Sequence, residues 1–217
     1  MKTETFKIFT SDKCICFSND EQLAERLDTN EMLCNLHSLS KKQLTIIYKK
    51  LMIPDIRNLS KTKKLTNYIF IAKDVEHYFE QFKSHFKIIE AAGGLVKNEK
   101  DEYLFIFRNG KWDLPKGKRE KGEVIKTCAK REVKEECGVK KLTEVKKLIT
   151  TYHTYFLEEK PVLKPTHWFK MQCNDDSKLI PQLEEGITKV KWVRKDKLAS
   201  ILKNTYPSIQ EVIKTIE

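Results

Sequence analysis

No apolar run in this sequence approaches the ~18 residues that a membrane-spanning helix needs. The first residues, Met1 to Thr5, lead into a short alternating stretch and not into an apolar signal core, so a cytoplasmic protein with no membrane partner is expected. Glycine and proline are scarce, at 7 and 6 residues, which excludes collagen-like and low-complexity chains. Cysteine is present without a pattern. The six fall at 14, 16, 34, 128, 137 and 173, and no pair has CxxC spacing, so reduced, mostly buried thiols are expected. Arginine is scarce too. The formal net charge is +11, yet only six of the 42 basic residues are arginine. Arginine supplies the bidentate fork that nucleic-acid readers favour. A lysine-dominated charge suits a polyanionic small substrate and speaks only weakly for DNA or RNA.

What remains is a chain of 217 residues, 40% hydrophobic and 34% charged, long enough to bury roughly 70% of its extended surface. Two units are expected. The first, residues 1–86, reads as a small α+β unit. Thr5–Thr10 and Cys14–Ser18 alternate as a hairpin around Ser11–Lys13, Ser40 opens a helix to about Met52, and Pro54 ends it. Leu65–Ala72 reads as a strand and Val75–Phe86 as an amphipathic helix. Residues 40–66 hold eight basic side chains against one acid, a solvated face or a docking surface for an anion. The second unit, residues 87–217, begins with strands at 88–96 and 103–107. A loop over 109–122, a helix over 123–137, further strands to Val193 and helical pieces from Lys195 follow.

The helix over 123–137 carries the chemistry. At one residue per ~100°, Glu132, Glu135 and Glu136 share a sector about 100° wide with Ile125, Cys128 and Ala129, while Lys126, Lys130 and Lys134 take the opposite side. Like charges crowded on an inward face lose hydration and raise one another's pKa. The helix is expected to offer no cation within the sector, so a divalent metal is the simplest relief, and oxygen-only ligands select a hard ion. A solvated acidic patch, or a network with lysines from elsewhere, is the competing reading.

The segment 117–139, GKREKGEVIKTCAKREVKEECGV, weighs against the competing reading. Gly117, Glu123, Arg131, Glu132, Val133, Glu135, Glu136, Gly138 and Val139 fill every fixed position of the pattern G-x5-E-x7-R-E-U-x-E-E-x-G-U, with U aliphatic. This is the box of the Nudix hydrolases, which the chain resembles over roughly 87–217; Trp112–Lys116 and Val190–Val193 resemble flanking segments of that family. The resemblance implies an α/β/α sandwich around a mixed sheet and cleavage of a nucleoside diphosphate linked to another moiety. It implies that Glu132, Glu135 and Glu136 hold Mg²⁺ (Mn²⁺ as substitute), joined by a backbone carbonyl at Lys116 or Gly117. Glu123 and Arg131 would brace the loop against the helix. The proton acceptor would be Glu132, or Glu184 or Glu185 on a distant loop. Arg108, Lys116, Lys118 and Arg119 lie where phosphates could be met, and His153 and Tyr155, like Thr166 and Trp168, alternate on strands where a base could stack.

Relatives that cleave ADP-ribose often carry Pro where this chain has Tyr155. Leu114-Pro115-Lys116-Gly117 looks more like the hydrolases of diadenosine polyphosphates, diphosphoinositol polyphosphates or mRNA caps. Two alternatives stand beside the small-molecule hydrolase: a ligand-sensing module with little catalysis, and an RNA 5′-end pyrophosphohydrolase guided by the basic stretch. The N-terminal unit could cover the pocket, build a homodimer or stabilise the sheet.

Overall fold

The computed structural model describes residues 3–10, 13–20, 22, 31–36, 39, 41–52, 66–174 and 178–216. Ser40, Pro54, the tip of the first hairpin at 11–12 and most of the basic stretch 40–66 lie outside them. In chain order the elements are β1 (Thr5–Phe9), β2 (Lys13–Ser18), β3 (Glu31–Asn35), α1 (Lys41–Met52), β4 (Thr66–Ile71), α2 (Val75–Lys83), β5 (Lys87–Ile88), β6 (Ala91–Asn98), β7 (Glu102–Arg108), β8 (Lys111–Asp113), β9 (Lys116–Lys118), α3 (Ile125–Cys137), β10 (Leu142–Leu157), β11 (Lys160–Cys173), β12 (Ile187–Arg194), α4 (Leu198–Leu202) and α5 (Pro207–Ile213).

The chain divides into two compact units. One holds Met1–Ile88 together with Tyr152–Lys164, and the other holds Ile89–Thr151 with Pro165–Glu217. The first break lies beside the boundary expected after residue 86. The tip of the β10–β11 hairpin joins the N-terminal unit, which a single boundary in sequence does not describe.

In the first unit β1 and β2 form the expected antiparallel pair, and the strand order runs β10–β1–β2–β4–β3, with the outer part of β10 parallel to β1. The core is aromatic: Phe17, Tyr48, Phe79 and Phe82 are fully buried, and the Phe6 and Phe79 rings stack at 4.2 Å. Asp74 caps α2, its side chain accepting from the His77 N–H at 3.1 Å. The helix ends at Lys83, short of the expected Phe86, because the last turn tightens: the His85 and Phe86 N–H groups reach back three residues, to the Phe82 and Lys83 carbonyls.

In the second unit the order is β12–β7–β6–β11–β10, with β8 on β7 and β9 on β6. β6 runs parallel to β11 and antiparallel to β7 and β9, so the sheet is mixed. One face packs Ala92, Val96 and Phe169 under Cys128, Ala129 and Val133 of α3. The other packs Leu95, Phe105 and Trp168 against Ile209, Val212 and Ile213 at α5. That is the expected α/β/α sandwich. Trp168 and Thr166 are core residues; the indole N–H donates to the Thr151 hydroxyl at 2.8 Å. α3 starts at Ile125, two residues later than expected, because the Glu123 carboxylate is occupied outside the helix.

The close fit of α3 on β6 requires Gly94. A Cβ there would stand 2.8 Å from Val133 Cγ2 and 3.1 Å from Met171 Cε. Gly94→Ala is therefore expected to cost about 1–3 kcal/mol by overpacking, lowering the melting temperature by roughly 2–10 °C in scanning calorimetry.

Candidate active site

β9 lies against β6 with Gly93 opposite Lys116 and Ala92 opposite Gly117. This brings the loop that follows β9 under α3. A Cβ on Gly117 would collide with the Glu132 carboxylate, so the missing side chain is what lets that carboxylate lie against the loop backbone. At the other end of the helix Gly138 takes a left-handed conformation at φ 77°, and its N–H closes on the Lys134 carbonyl at 2.8 Å. The loop over 178–186 is bound to the same end: the Ile180 N–H donates to the Cys137 carbonyl at 3.0 Å and the Gln182 N–H to the Glu136 carbonyl at 3.3 Å. Glu185 rides on this loop.

The three box glutamates do not share one environment. Glu136 is 1% exposed, and its carboxylate accepts from the Lys116 backbone N–H at 2.8 Å. Burial pushes its pKa up to about 7, against the opposing pull of Lys116 and Arg108. Glu132 is also buried, and desolvation raises its pKa while Arg131 pulls it down. Glu135 is half exposed, so the expectation that all three face inward is corrected for it.

Arg131 corrects a second expectation, that the helix offers no cation to this sector. Its Nε and Nη2 donate to both oxygens of Glu123 at 2.9 and 3.0 Å. Its Nη1 donates to Glu132 at 2.8 Å and to Glu135 at 3.0 Å, and Nη2 also reaches the Lys118 carbonyl at 3.2 Å. The guanidinium beside Glu123 holds that carboxyl down to about 2. Arg131 and Glu123 thus stand where the resemblance puts the loop brace. Among the described residues no three His, Cys, Asp or Glu side chains form a ready-made metal cage.

Arg108 stands between the two sides of the site. Its Nη1 is 3.7 Å from Glu136 and 3.9 Å from Glu185, so it bridges the helix and the loop over 178–186 without a hydrogen bond to either. Glu184 is exposed on the same loop. Lys116 turns its ammonium back to Asp113, a buried carboxylate that also accepts from the Leu114 N–H at 2.8 Å. Arg119 pairs with Glu90 at 3.0 Å, and Lys118 is exposed. His153 and Tyr155 belong to the N-terminal unit, their rings 6.2 Å apart and 28° from parallel. Sequence reasoning missed Asp113, although an acid three residues before a lysine in a tight strand-to-loop turn is a visible signal.

The NUDIX domain profile matches residues 87–215, more than half of the chain. The chain belongs to the Nudix family. Solved structures similar to it include a C. elegans Ap4A hydrolase binary complex, 21% identical, covering 59% of this chain and 94% of that one with a TM-score of 0.46. A MutT protein from Methanosarcina mazei Go1 is 22% identical, covering 60% and 93% with a TM-score of 0.45. A NUDIX hydrolase from Nitrosomonas europaea is 22% identical, covering 59% and 87%, also at 0.45. Membership makes this chain a Nudix pyrophosphohydrolase with a phosphoanhydride as substrate.

The Glu123–Arg131 pair has a pH signature. Glu123 has a folded pKa far below its ordinary 4.5, so its stabilisation is complete above about 4.5 and is lost as pH falls towards about 2. Glu123→Gln is expected to cost about 2 kcal/mol at neutral pH, the scale of hydrogen bonds to a charged group. Urea melts of wild type and variant should converge as the pH is lowered from 6 to 3; a gap independent of pH would contradict the assignment.

Proposed function

We propose that this Nudix enzyme uses Mg²⁺ to hydrolyse a pyrophosphate linkage in a highly phosphorylated nucleoside diphosphate derivative, a dinucleoside polyphosphate before an ADP-ribose-like compound. The observation that carries the reading is the pairing of Glu132 and Glu136, two buried carboxylates on one helix face beside a glycine backbone. The donor set fits a hard cation: three carboxylates, Glu132, Glu135 and Glu136, with the backbone at Lys116 or Gly117 at hand, and no imidazole or thiolate among them. When bound, Mg²⁺ supplies charge neutralisation at the phosphate oxygens and a lowered pKa for its water.

The residues of the chain do the rest. Arg131 keeps Glu132 and Glu135 gathered, and Glu123 keeps Arg131 in place. Arg108, a quarter exposed and hydrogen-bonded to neither neighbouring carboxylate, is suited to take a phosphate oxygen. Glu185, half exposed, or Glu132 accepts the proton from the attacking water. The substrate preference rests on Leu114-Pro115-Lys116-Gly117. All three box glutamates are present, which speaks against a sensor that has lost catalysis.

The test is a panel of diadenosine tetraphosphate, ADP-ribose, cap dinucleotide and a diphosphoinositol polyphosphate, assayed with and without Mg²⁺. Hydrolysis of the dinucleotide that vanishes on chelation is expected. Glu135→Gln and Glu136→Gln should each lose at least about a hundredfold in turnover while the fold survives by circular dichroism. Normal turnover in both variants would sink the catalytic assignment.

A further inference from the structure

The site leaves one chain of polar side chains unused. Thr150 on β10, His167 on β11, Glu90 just before β6 and Arg119 just after β9 come from four segments and meet in sequence. The Thr150 hydroxyl is 3.1 Å from His167 Nδ1. His167 Nε2 is 3.5 Å from Glu90 Oε1, and Glu90 Oε2 is 3.0 Å from Arg119 Nη1. The Arg119 N–H also donates to the Glu90 carbonyl at 3.0 Å. Ala92 pairs with His167 on one side and with Gly117 on the other, so the chain crosses the sheet alongside the row that ends under Glu132.

Stability alone is a poor account of it. Glu90 and Arg119 are each more than a third exposed, and such pairs contribute little to folding. Their location is more informative. The end of β9 is gripped from the helix by Arg131 at the Lys118 carbonyl. The next residue, Arg119, is gripped from the sheet by Glu90. Gly117, whose backbone lies against the Glu132 carboxylate, is two residues before that second grip. Beyond Arg119 the chain is exposed as far as Gly122.

We propose that Thr150, His167, Glu90 and Arg119 form a positioning relay that fixes the loop over 117–119, and so sets the backbone against which Glu132 and a bound divalent cation are held. This rests on the metal reading above. Burial lowers the pKa of His167 against the pull of Glu90, with Lys147 and Arg119 acting in the same direction as burial. His167 stands between Thr150 and Glu90 through its two ring nitrogens, and Glu90 in turn pairs with Arg119. In the tautomer with hydrogen on Nε2, the ring accepts from the Thr150 hydroxyl and turns its N–H towards Glu90.

The experiment uses the full chain with Glu90→Ala, His167→Phe and the hydrogen-bonding substitute His167→Gln. Two readouts are taken: amide hydrogen exchange, and Mn²⁺ binding by electron paramagnetic resonance. In Glu90→Ala and His167→Phe the amides of 118–122 should exchange about tenfold faster, and half-saturation by Mn²⁺ should rise about tenfold. His167→Gln should return both towards wild type. Unchanged exchange at 118–122 overturns the relay, as does faster exchange spread evenly over the whole second unit. If the wild type binds no Mn²⁺, the metal reading falls, while the exchange data still decide the positioning role.

Discussion

The site depends on one guanidinium that satisfies three carboxylates. Arg131 has five N–H donors in a plane, and it spends them on Glu123, Glu132, Glu135 and the Lys118 carbonyl. Without it, three carboxylates would stand close together in space at a helix whose lysines point elsewhere. The contacts are unequal. Glu123 takes two parallel bonds, whereas Glu132 and Glu135 share one nitrogen. Glu132 and Glu135 are therefore held less firmly than Glu123, and on the proposed reading they would be the carboxylates free to turn to a dication while the bidentate Glu123 pair keeps Arg131 in place. One side chain gathers three carboxylates on unequal terms.

Glu136 follows a different logic. It is buried, its nearest donor is a backbone N–H, and its pKa is about 7 because water has been removed around it. Lys116 and Arg108 already pull against that rise, and any further positive charge brought beside the carboxylate favours its ionised form. The fold can hold this group because the loop over 178–186 closes on the helix end through the Glu136 and Cys137 carbonyls. The same bonds fix where Glu185 stands, so the candidate proton acceptor and the buried carboxylate are located by one piece of backbone.

Much of this was legible in the sequence because it is local. Alternation gave β1 and β2, helical spacing gave α3, and nine fixed positions gave the box, whose Glu123 and Arg131 pair in the structure. What escaped is what depends on residues far apart. The periodicity that put Glu135 in the acidic sector could not tell how deep that sector sits; Glu135 lies at its solvent edge. Arg131 was counted as part of the brace, and its reach to Glu132 and Glu135 depends on rotamers that spacing does not specify. The helix start moved because Glu123 has a better partner than the first helical turn. The hairpin tip 152–164 joined the N-terminal unit through pairings of Tyr152 with Ile8 and of Leu163 with Ile88, across large separations that no local signal encodes.

The charge distribution bears on substrate choice. Four cations were expected near the phosphates. Two of them are already paired, Lys116 with the buried Asp113 and Arg119 with Glu90. Lys118 is exposed, and Arg108 lies beyond hydrogen-bond distance of both Glu136 and Glu185. Among these four, then, the formal charge of +11 is not delivered as a cluster of unpaired cations at the carboxylates. A field of that size acts at long range, raising the rate at which a polyanion arrives, and salt screens it over about 8 Å at physiological ionic strength. Discrimination between polyanions that have arrived must come from short-range contacts, and Arg108 is the side chain best disposed to make one. On the proposed reading a substrate would gain from the first effect in proportion to its total charge and from the second where a phosphate oxygen meets a side chain such as Arg108. Two substrates with the same number of phosphates would then differ through the geometry of such contacts.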